Sequence, residues 1–570
     1  MKIAPTYQKL RGGYYTPKPI ADFLAQWAIQ SPTAEILEPS CGDGAILEAA
    51  VNALILCGAD RPTIVDLIQG VELDAAEASK AVERIHSLDI HLPREKIYVG
   101  DFFSYAREHL VEERFFDIIL SKGRAFDAII GNPPFIRYQN FPEEYRNIAF
   151  DIMKHAGLHP NKLTNSWLPF LVVSTLLLKD RGRLAMVIPA ELFQVNYAAE
   201  TRRYLSDFYS EITLVTFKKL VFDDIEQEII LLLGKRNGHK ESRIRVLEFE
   251  NAKALAGHRH VEFIEAELKP MDHSTEKWTQ YFLSSDEILL LRLLKSHPLL
   301  TLSGNVLDIN VGIVTGENKF FILNEQQVKE ASLEPFTQKV VSRSAHLKGA
   351  IFCDADWMNN AMLQVPAFLL HTPEVPFEKL PEPLRKYIES GEQRRFNEGY
   401  KCKIRSPWYV VPSAWIPQAF MLRQIHGYPK IILNQAEVTC TDTIHRVKFL
   451  KGVDGRKVTA AFINTLTFAF AEVTGRSYGG GVLTFEPSET ENLPLPLQGA
   501  ENLDLDYIDK LLRTNDVNAV LAITDEVLLK KALGLDIREV NMLHAIWNKL
   551  KDRRTNRKHK SVEAVFERDI

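Results

Sequence analysis

Leu37-Glu38-Pro39-Ser40-Cys41-Gly42-Asp43-Gly44 decides how the first half of the chain folds. A short apolar run ends in an acid, a proline and two glycines, and the apolar helical pattern Ala45–Leu56 follows at once. That is a strand, a tight turn and a helix. Glycines let backbone approach a bound group closely, and a helix start offers free N–H donors. Taken alone, the turn reads equally well as a plain connection. A dinucleotide fingerprint would want a third glycine three positions after Gly44, and Leu47 stands there instead.

Working outward, the same rhythm repeats. Apolar runs at Glu35–Glu38, Ile68–Leu73, Lys96–Val99, Asp127–Ile130, Arg183–Ile188, Thr213–Phe217 and Glu228–Leu233 read as strands. Helical stretches such as Ala45–Leu56, Ala75–Ser87 and Ser166–Leu178 lie between them. The alternation predicts an α/β fold with a doubly wound, mostly parallel sheet, whose ligands collect beyond the carboxyl ends of the strands. Around Gly234-Lys235-Arg236-Asn237-Gly238 the rhythm stops. Irregular spacing and many Pro, Gly and aromatic residues then run to about residue 500, followed by a Leu-rich helical tail. The reading is three parts: 1–240, a mixed α/β domain 241–500 with its first boundary near 240–280, and a helical segment 501–570 with a basic end.

Composition bounds the function. The 570 residues include 69 Lys and Arg against 74 Asp and Glu, a net charge of −5, with 46% hydrophobic residues. Such a chain is globular rather than disordered, and no histone-like, uniformly basic binder. A local basic surface stays compatible, because net charge averages over faces a ligand sees separately. The five cysteines are scattered without zinc spacing, so neither a metal site nor a disulfide framework is suggested. The N-terminus lacks a signal-peptide core, and the longest apolar run, Trp167 to Leu178, is too short to span a bilayer. A cytoplasmic protein with no membrane partner is expected.

Three further strand tips carry candidate chemistry. Glu72, in Gly70-Val71-Glu72-Leu73-Asp74, is placed to accept from a ribose diol; Glu72 or Asp74 would equally serve as a helix N-cap. Asp101 in Val99-Gly100-Asp101-Phe102 could take an exocyclic amine while Phe102 covers a ring. The fourth segment, Ile129-Ile130-Gly131-Asn132-Pro133-Pro134-Phe135, is more specific. Two prolines end the strand and stiffen the turn, but a bare stop needs neither the Asn before them nor the aromatic after them. An exocyclic adenine amine is a poor nucleophile because its lone pair is delocalised. Acceptors on its two N–H bonds, the Asn132 side-chain oxygen and the Pro133 carbonyl, would pull the nitrogen towards sp³, with Phe135 stacked on the base.

At this point the sequence resembles a family: the S-adenosylmethionine-dependent N6-adenine DNA methyltransferases of restriction–modification systems, gamma class. Gly12-Gly13-Tyr14-Tyr15-Thr16-Pro17 matches its first motif, Glu38 to Gly44 the second, and Asn132 to Phe135 its tetrad, with Phe where many relatives have Tyr. Glu38, Glu72, Asp101 and Asn132 follow at intervals of 34, 29 and 31 residues, one βα unit each. The resemblance implies the class I methyltransferase fold. It also implies a cofactor site in which Thr16 and Pro17 border the methionine end and Glu38, Ser40, Gly42 and Gly44 surround the amino-acid moiety. Glu72 would take the ribose, Leu73 would pack on the adenine, and Asp101 would bind the adenine amine beside Phe102. A second aromatic stacking on a flipped base is best matched by Phe222, with Phe217 as the neighbouring alternative. Catalysis by Asn132, Pro133, Pro134, Phe135 and Phe222 would act on adenine extruded from duplex DNA, since the amine is otherwise buried in the stack.

The resemblance continues, less tightly, in the second half. Asn310 to Phe321 looks like the opening of a target-recognition domain, and Arg476-Ser477-Tyr478-Gly479-Gly480-Gly481-Val482 like its close. Thr315, Asn318, Lys319, Arg343, Lys348, Arg405, Arg423, Arg476 and Tyr478 are candidate contacts to double-stranded DNA. Seven Lys and Arg against one Asp in Lys549 to Lys560 would add phosphate contacts or form a solvated helix end. The alternative is an RNA or protein (glutamine amide) N-methyltransferase with the same turn. Those enzymes usually place a small domain first, whereas only 36 residues precede Leu37 and more than 300 follow the first domain. Cytosine-C5 chemistry needs a Pro-Cys nucleophile, and no such dipeptide occurs. With no room for a nuclease before Gly12, a monomer that modifies without cleaving is expected, paired with a separate restriction endonuclease.

Overall fold

The apolar runs of the first half become strands because they are too short and too β-branched for helices and are buried on both faces. In the computed structural model they are β1 (Ile36–Glu38), β2 (Ile68–Glu72), β3 (Ile97–Val99), β4 (Phe126–Gly131), β5 (Leu178–Pro189), β6 (Glu211–Phe217) and β7 (Ile229–Lys235). Two more, β8 (Arg243–Phe249) and β9 (Lys269–Pro270), complete a nine-stranded mixed sheet in the order β9-β8-β6-β7-β5-β4-β1-β2-β3. The structure describes residues 15–112, 118–120, 126–219, 221, 228–236, 241–257, 266–274, 276–412, 414–478 and 480–556.

The run β3-β2-β1-β4-β5 is parallel throughout. Strand β7 enters antiparallel between β5 and β6. Parallel strands place their carboxyl ends along one edge, so Glu38, Glu72 and the residues after β3 and β4 emerge together. The helices between strands are α1 (Lys18–Ala28), α2 (Ala45–Leu56), α3 (Arg61–Leu67), α4 (Ala75–His86), α5 (Phe102–His109), α6 (Glu143–His155), α7 (Trp167–Leu176) and α8 (Ala199–Phe208). Helix α4 shows why they form where they do. Asp74 caps its first turn, its Oδ1 accepting from the amides of Ala76 (2.9 Å) and Glu77 (3.4 Å). Ala78, Ala81, Val82 and Ile85 then line one buried face at helical spacing. Helix α7, the longest apolar run, is buried on every side.

The chain divides into two compact units, the first ending at Ser285 and the second running from Asp286 to Thr555. This differs from the three-part reading in two places. The first unit reaches past residue 240, because β8 pairs with β6 over seven residues, from Arg243 opposite Glu211 to Phe249 opposite Phe217. The helices after residue 501 do not form a segment of their own; buried and half-buried ion pairs staple them into the second unit. Asp509 Oδ1 accepts from the amides of Ala350 (2.7 Å) and Ile351 (2.9 Å), and Arg513 spans Asp509 and Asp356 at 2.6 Å each. Arg554, on the helix Ile537–Thr555, is 3% exposed and grips Glu472 at 2.7 and 2.8 Å. The second unit holds a five-stranded sheet, in the order Leu307–Val311, Ile444–Phe449, Ala419–Leu422, Ile431–Asn434, Ile351–Phe352, and a smaller four-stranded one.

Candidate functional site at the strand tips of the first unit

Four consecutive parallel strands deliver the site. After β1 the chain turns through Pro39 and Ser40 into Gly44, whose φ of +83° lies in the left-handed region. A side chain there would also strike α4, since a Cβ would sit 2.8 Å from the Cα of Ala81. Arg84 of α4 locks the turn from outside, donating to the carbonyl of Asp43 (2.8 Å), to its carboxylate, and to Glu48 (3.0 Å). The glycine turn is thus a fixed cradle rather than a loose connection.

Glu72 and Asp74, alternatives in the sequence, take separate tasks. Asp74 is the cap of α4, whereas Glu72 turns into the cradle: its carboxylate accepts from the amides of Gly42 (2.9 Å) and Asp74 (2.8 Å). Burial raises its pKa, and those two amides oppose the rise. Beside it Leu73 stands 48% exposed, an apolar side chain left on the surface next to the carboxylate. Asp101 caps α5, its Oδ1 accepting from the Ser104 amide (3.0 Å) and hydroxyl (3.3 Å); burial raises its pKa too. Phe102 is buried and stacks on Phe170 with centroids 5.0 Å apart, so that face of its ring belongs to the core.

Glu38 is the most unusual group here. It is 2% exposed, and its Oε2 has no hydrogen-bond partner. Burial pushes its pKa well up, and the nearby charges of Glu72 and Asp43 push the same way. A buried carboxylate oxygen without a donor is costly unless a cationic donor joins it. An ammonium group supplied by a ligand would meet that need, so the donor set at this edge fits an amino-acid-bearing cofactor.

The tetrad follows β4 directly. The Asn132 side-chain amide donates to Thr16 Oγ1 (3.2 Å), and Ser40 donates to the Asn132 carbonyl (3.3 Å). These two contacts bring Thr16, Ser40 and Asn132 together, although Thr16 and Asn132 lie 116 residues apart. Pointing the amide nitrogen at Thr16 turns the amide oxygen away from it. Pro17 caps α1, Pro133 is buried, and Pro134 and Phe135 are half-buried, Phe135 packing on the core.

The sequence reading missed what holds the tetrad's far side. Ser166 Oγ accepts from the Ile136 amide (2.8 Å) and donates to the Pro134 carbonyl, while its own amide donates to the Ile136 carbonyl (2.9 Å). Asn165 accepts from the Tyr138 amide (3.2 Å) and donates to the Tyr197 hydroxyl (3.2 Å), which donates to Glu191 (2.5 Å). Burial, and then the Glu191 charge, raise the Tyr197 pKa. Asn-Ser before an apolar helix reads as helix-start chemistry, and nothing local links it to a turn some thirty residues earlier. Phe222 lies outside the described residues; its alternative, Phe217, is 3% exposed in the core.

The candidates of the second unit divide by exposure. Arg405 donates to the carbonyls of Thr315 (2.6 Å) and Val314, Arg423 to the Asp442 carbonyl (3.1 Å) and Glu486 (3.2 Å), and Arg476 to the buried Glu489 (2.8 Å). Thr315 is buried. These four support their own unit. Asn318, Lys319, Arg343 and Lys348 are exposed. Tyr478 falls in a short strand, Arg476–Tyr478. In the basic run, Lys549 pairs with Glu287 (2.9 Å) and Arg554 with Glu472, while residues 557–560 lie outside the described residues.

The N-6 DNA Methylase family model matches residues 1–287, half of the chain. The chain belongs to the N-6 DNA methylase family. A second model, the C-terminal domain of Type II methyltransferase M.Eco57I, matches residues 275–529 of this methylase, beginning close to where the second unit does. The methylase is 23% identical over 532 residues to Type II methyltransferase M.AccI of Acinetobacter calcoaceticus, covering 89% of this chain and 88% of that one. It is 23% identical over 506 residues to M.XamI of Xanthomonas campestris pv. amaranthicola, covering 86% of each. Its fold resembles that of the Type IIL restriction-modification enzyme MmeI, solved in complex with DNA: TM-score 0.54, 11% identity, 94% of this chain and 75% of that one. A nuclease-deletion mutant of the Type ISP enzyme LlaGI, solved with a DNA substrate mimic, gives a TM-score of 0.51 at 12% identity, over 89% of this chain and 55% of that one. Nothing in these matches favours the RNA or protein alternative. Among the described residues no helix is long and apolar enough to cross a membrane.

Proposed function

We propose that this methylase transfers a methyl group from S-adenosylmethionine to the N6 amine of an adenine flipped out of duplex DNA. The observation that carries the reading is the placement of Asn132. It follows a parallel strand, on the same sheet edge as Glu38, Glu72 and Asp101, with its amide nitrogen directed at Thr16.

When bound, the cofactor supplies an electrophilic methyl group on a sulfonium. Glu38 would pair with its ammonium, Glu72 would hold the ribose hydroxyls, Asp101 would accept from the adenine amine, and Leu73 would cover the ring. The chain's own part at the target is positioning. Asn132, through its amide oxygen, and the Pro133 carbonyl accept the two amine hydrogens and aim the nitrogen lone pair. Phe135 stacks on the extruded base and offsets part of the unstacking cost, a few kcal/mol. The Asn165–Ser166 clamp keeps the turn rigid, so the attack geometry exists before the base arrives. The sheet is read as a doubly wound class I methyltransferase domain, and the second unit as the reader of target sequence. The names of its relatives support a role in restriction–modification, protecting a site from a companion endonuclease.

Replacing Asn132 tests the mechanism. Asn132→Ala should lower methyl transfer by about 100-fold or more while cofactor affinity by calorimetry changes little. Methylation at near wild-type rate would sink the assignment.

A further inference from the structure

One stretch of the second unit combines charge, exposed apolar surface and a fixed footing. Arg394-Arg395-Phe396-Asn397-Glu398-Gly399-Tyr400-Lys401-Cys402-Lys403-Ile404-Arg405 holds five basic residues and one acid, in a chain of net charge −5. Cys402 anchors it, fully buried in the cluster that contains Phe320 and Phe321. Arg405 ties it to the carbonyls of Val314 and Thr315. Gly316, at φ +88°, completes the joint: a Cβ there would stand 2.8 Å from the Cβ of Lys401. Strap and loop therefore form one packed edge.

From that edge Tyr400 and Ile404 project, 75% and 61% exposed. The helical turn Tyr400–Lys403, with Ile404 still in the helical region, puts these residues four apart on one face. Lys401 and Lys403 alternate with them in sequence, and Lys319 lies on the helical turn Asn318–Phe321; all three are exposed and none forms an ion pair with a described residue, the Lys401 ammonium lying 5.7 Å from the centroid of the Tyr400 ring. Arg395 is spent on Glu398 (2.8 Å), and Arg394 lies over the Phe396 ring, 4.5 Å from its centroid.

Two exposed apolar side chains beside lysines that carry no ion pair do not suit a protein partner, whose buried interface core would be broader and depleted of charge. The lysines suit a polyanion. The apolar pair suits a groove, where such side chains enter between base steps and partly unstack them. We propose that this strap docks on duplex DNA, with Lys319, Lys401 and Lys403 on phosphates and Tyr400 with Ile404 entering a groove as an apolar wedge. The proposal rests on the reading of the chain as a DNA methylase.

The test uses the full chain, a fluorescently end-labelled duplex that the wild type methylates, anisotropy over a salt series, and energy transfer between the duplex ends to report bending. Lys401→Ala combined with Lys403→Ala should lower the slope of log K against log salt by about 2, one per phosphate contact. Tyr400→Ala should weaken binding roughly tenfold and reduce the bend, and Tyr400→Phe should restore both. All these side chains are exposed, so melting temperatures should stay at the wild-type value and exclude misfolding as the cause. Unchanged slope, affinity and bend in variants of a chain that still methylates DNA would overturn the proposal, and would make the strap a face for some other partner. A wild type that methylates no DNA would be a different result; it would overturn the functional reading and take the strap with it.

Discussion

Charged residues at the strand tips of the first unit and charged residues of the second unit had opposite fates. At the strand tips, Glu38, Glu72 and Asp101 converge on one edge, and Glu38 keeps a buried oxygen without a donor. In the second unit Arg405, Arg423, Arg476 and Arg554 are all engaged inside their own unit. The difference is one of backbone order. A parallel sheet sends every strand end to the same edge, so position relative to a strand predicts location. Arginines spread over a short strand (Arg476), a long helix (Arg554) and connecting bends (Arg405, Arg423) carry no such address. Their guanidinium groups satisfy orphan carbonyls as readily as phosphates.

Five substitutions sharpen or break that contrast, in descending order of effect. Arg554→Ala leaves Glu472 buried without its partner and should cost about 3–5 kcal/mol of stability. A urea or thermal melt reads this directly, and a wild-type melt would mean that the pair is not structural. Ser166→Ala removes the acceptor of the Ile136 amide and the donor to the Pro134 carbonyl, yet touches no proposed ligand. It should lower kcat by tens of fold and leave KM for the cofactor near wild type. A fall in cofactor affinity instead would place Ser166 in the wrong half of the site.

Glu38→Gln should weaken cofactor binding roughly tenfold, the scale of one hydrogen bond to a charged group. Its stability effect has the opposite sign. Burial raises the Glu38 pKa, so the folded chain holds that proton to higher pH than the unfolded chain does. The stabilising contribution is complete below the ordinary carboxylate range and is lost as pH rises through the raised value. Without cofactor, Glu38→Gln should therefore melt above wild type at neutral and alkaline pH, with the gap closing in acid. A variant that melts below wild type at high pH would remove the idea of an oxygen waiting for a cation. The smallest effect belongs to the exposed Arg343 and Lys348: substitution by Ala should leave the melt unchanged and shift the salt slope of DNA binding by about 1 each. No shift would leave these cations to solvent.

Much of the first unit was legible because its signals are local. Apolar runs closed by turn residues put β2 and β6 within a residue or two of their observed ends, and Asn132-Pro133-Pro134-Phe135 marked the turn after β4. Strand β8 was missed for a physical reason: Arg243-Ile244-Arg245-Val246-Leu247-Glu248-Phe249 is half-exposed and charge-bearing, unlike the continuous apolar runs of the central strands. The Asn165–Ser166 clamp escaped because its partners are distant in sequence. The helices after residue 501 looked separate because the Asp509–Arg513–Asp356 bridge, which joins them to the rest of the second unit, spans more than 150 residues.

The central claim is that Asn132 prepares an adenine amine for methylation. Nucleoside mass spectrometry of DNA from cells producing the wild type or Asn132→Ala tests it most directly. The account predicts N6-methyladenine with the wild type and none above background with the variant. N4-methylcytosine in its place, or N6-methyladenine persisting with Asn132→Ala, would contradict it.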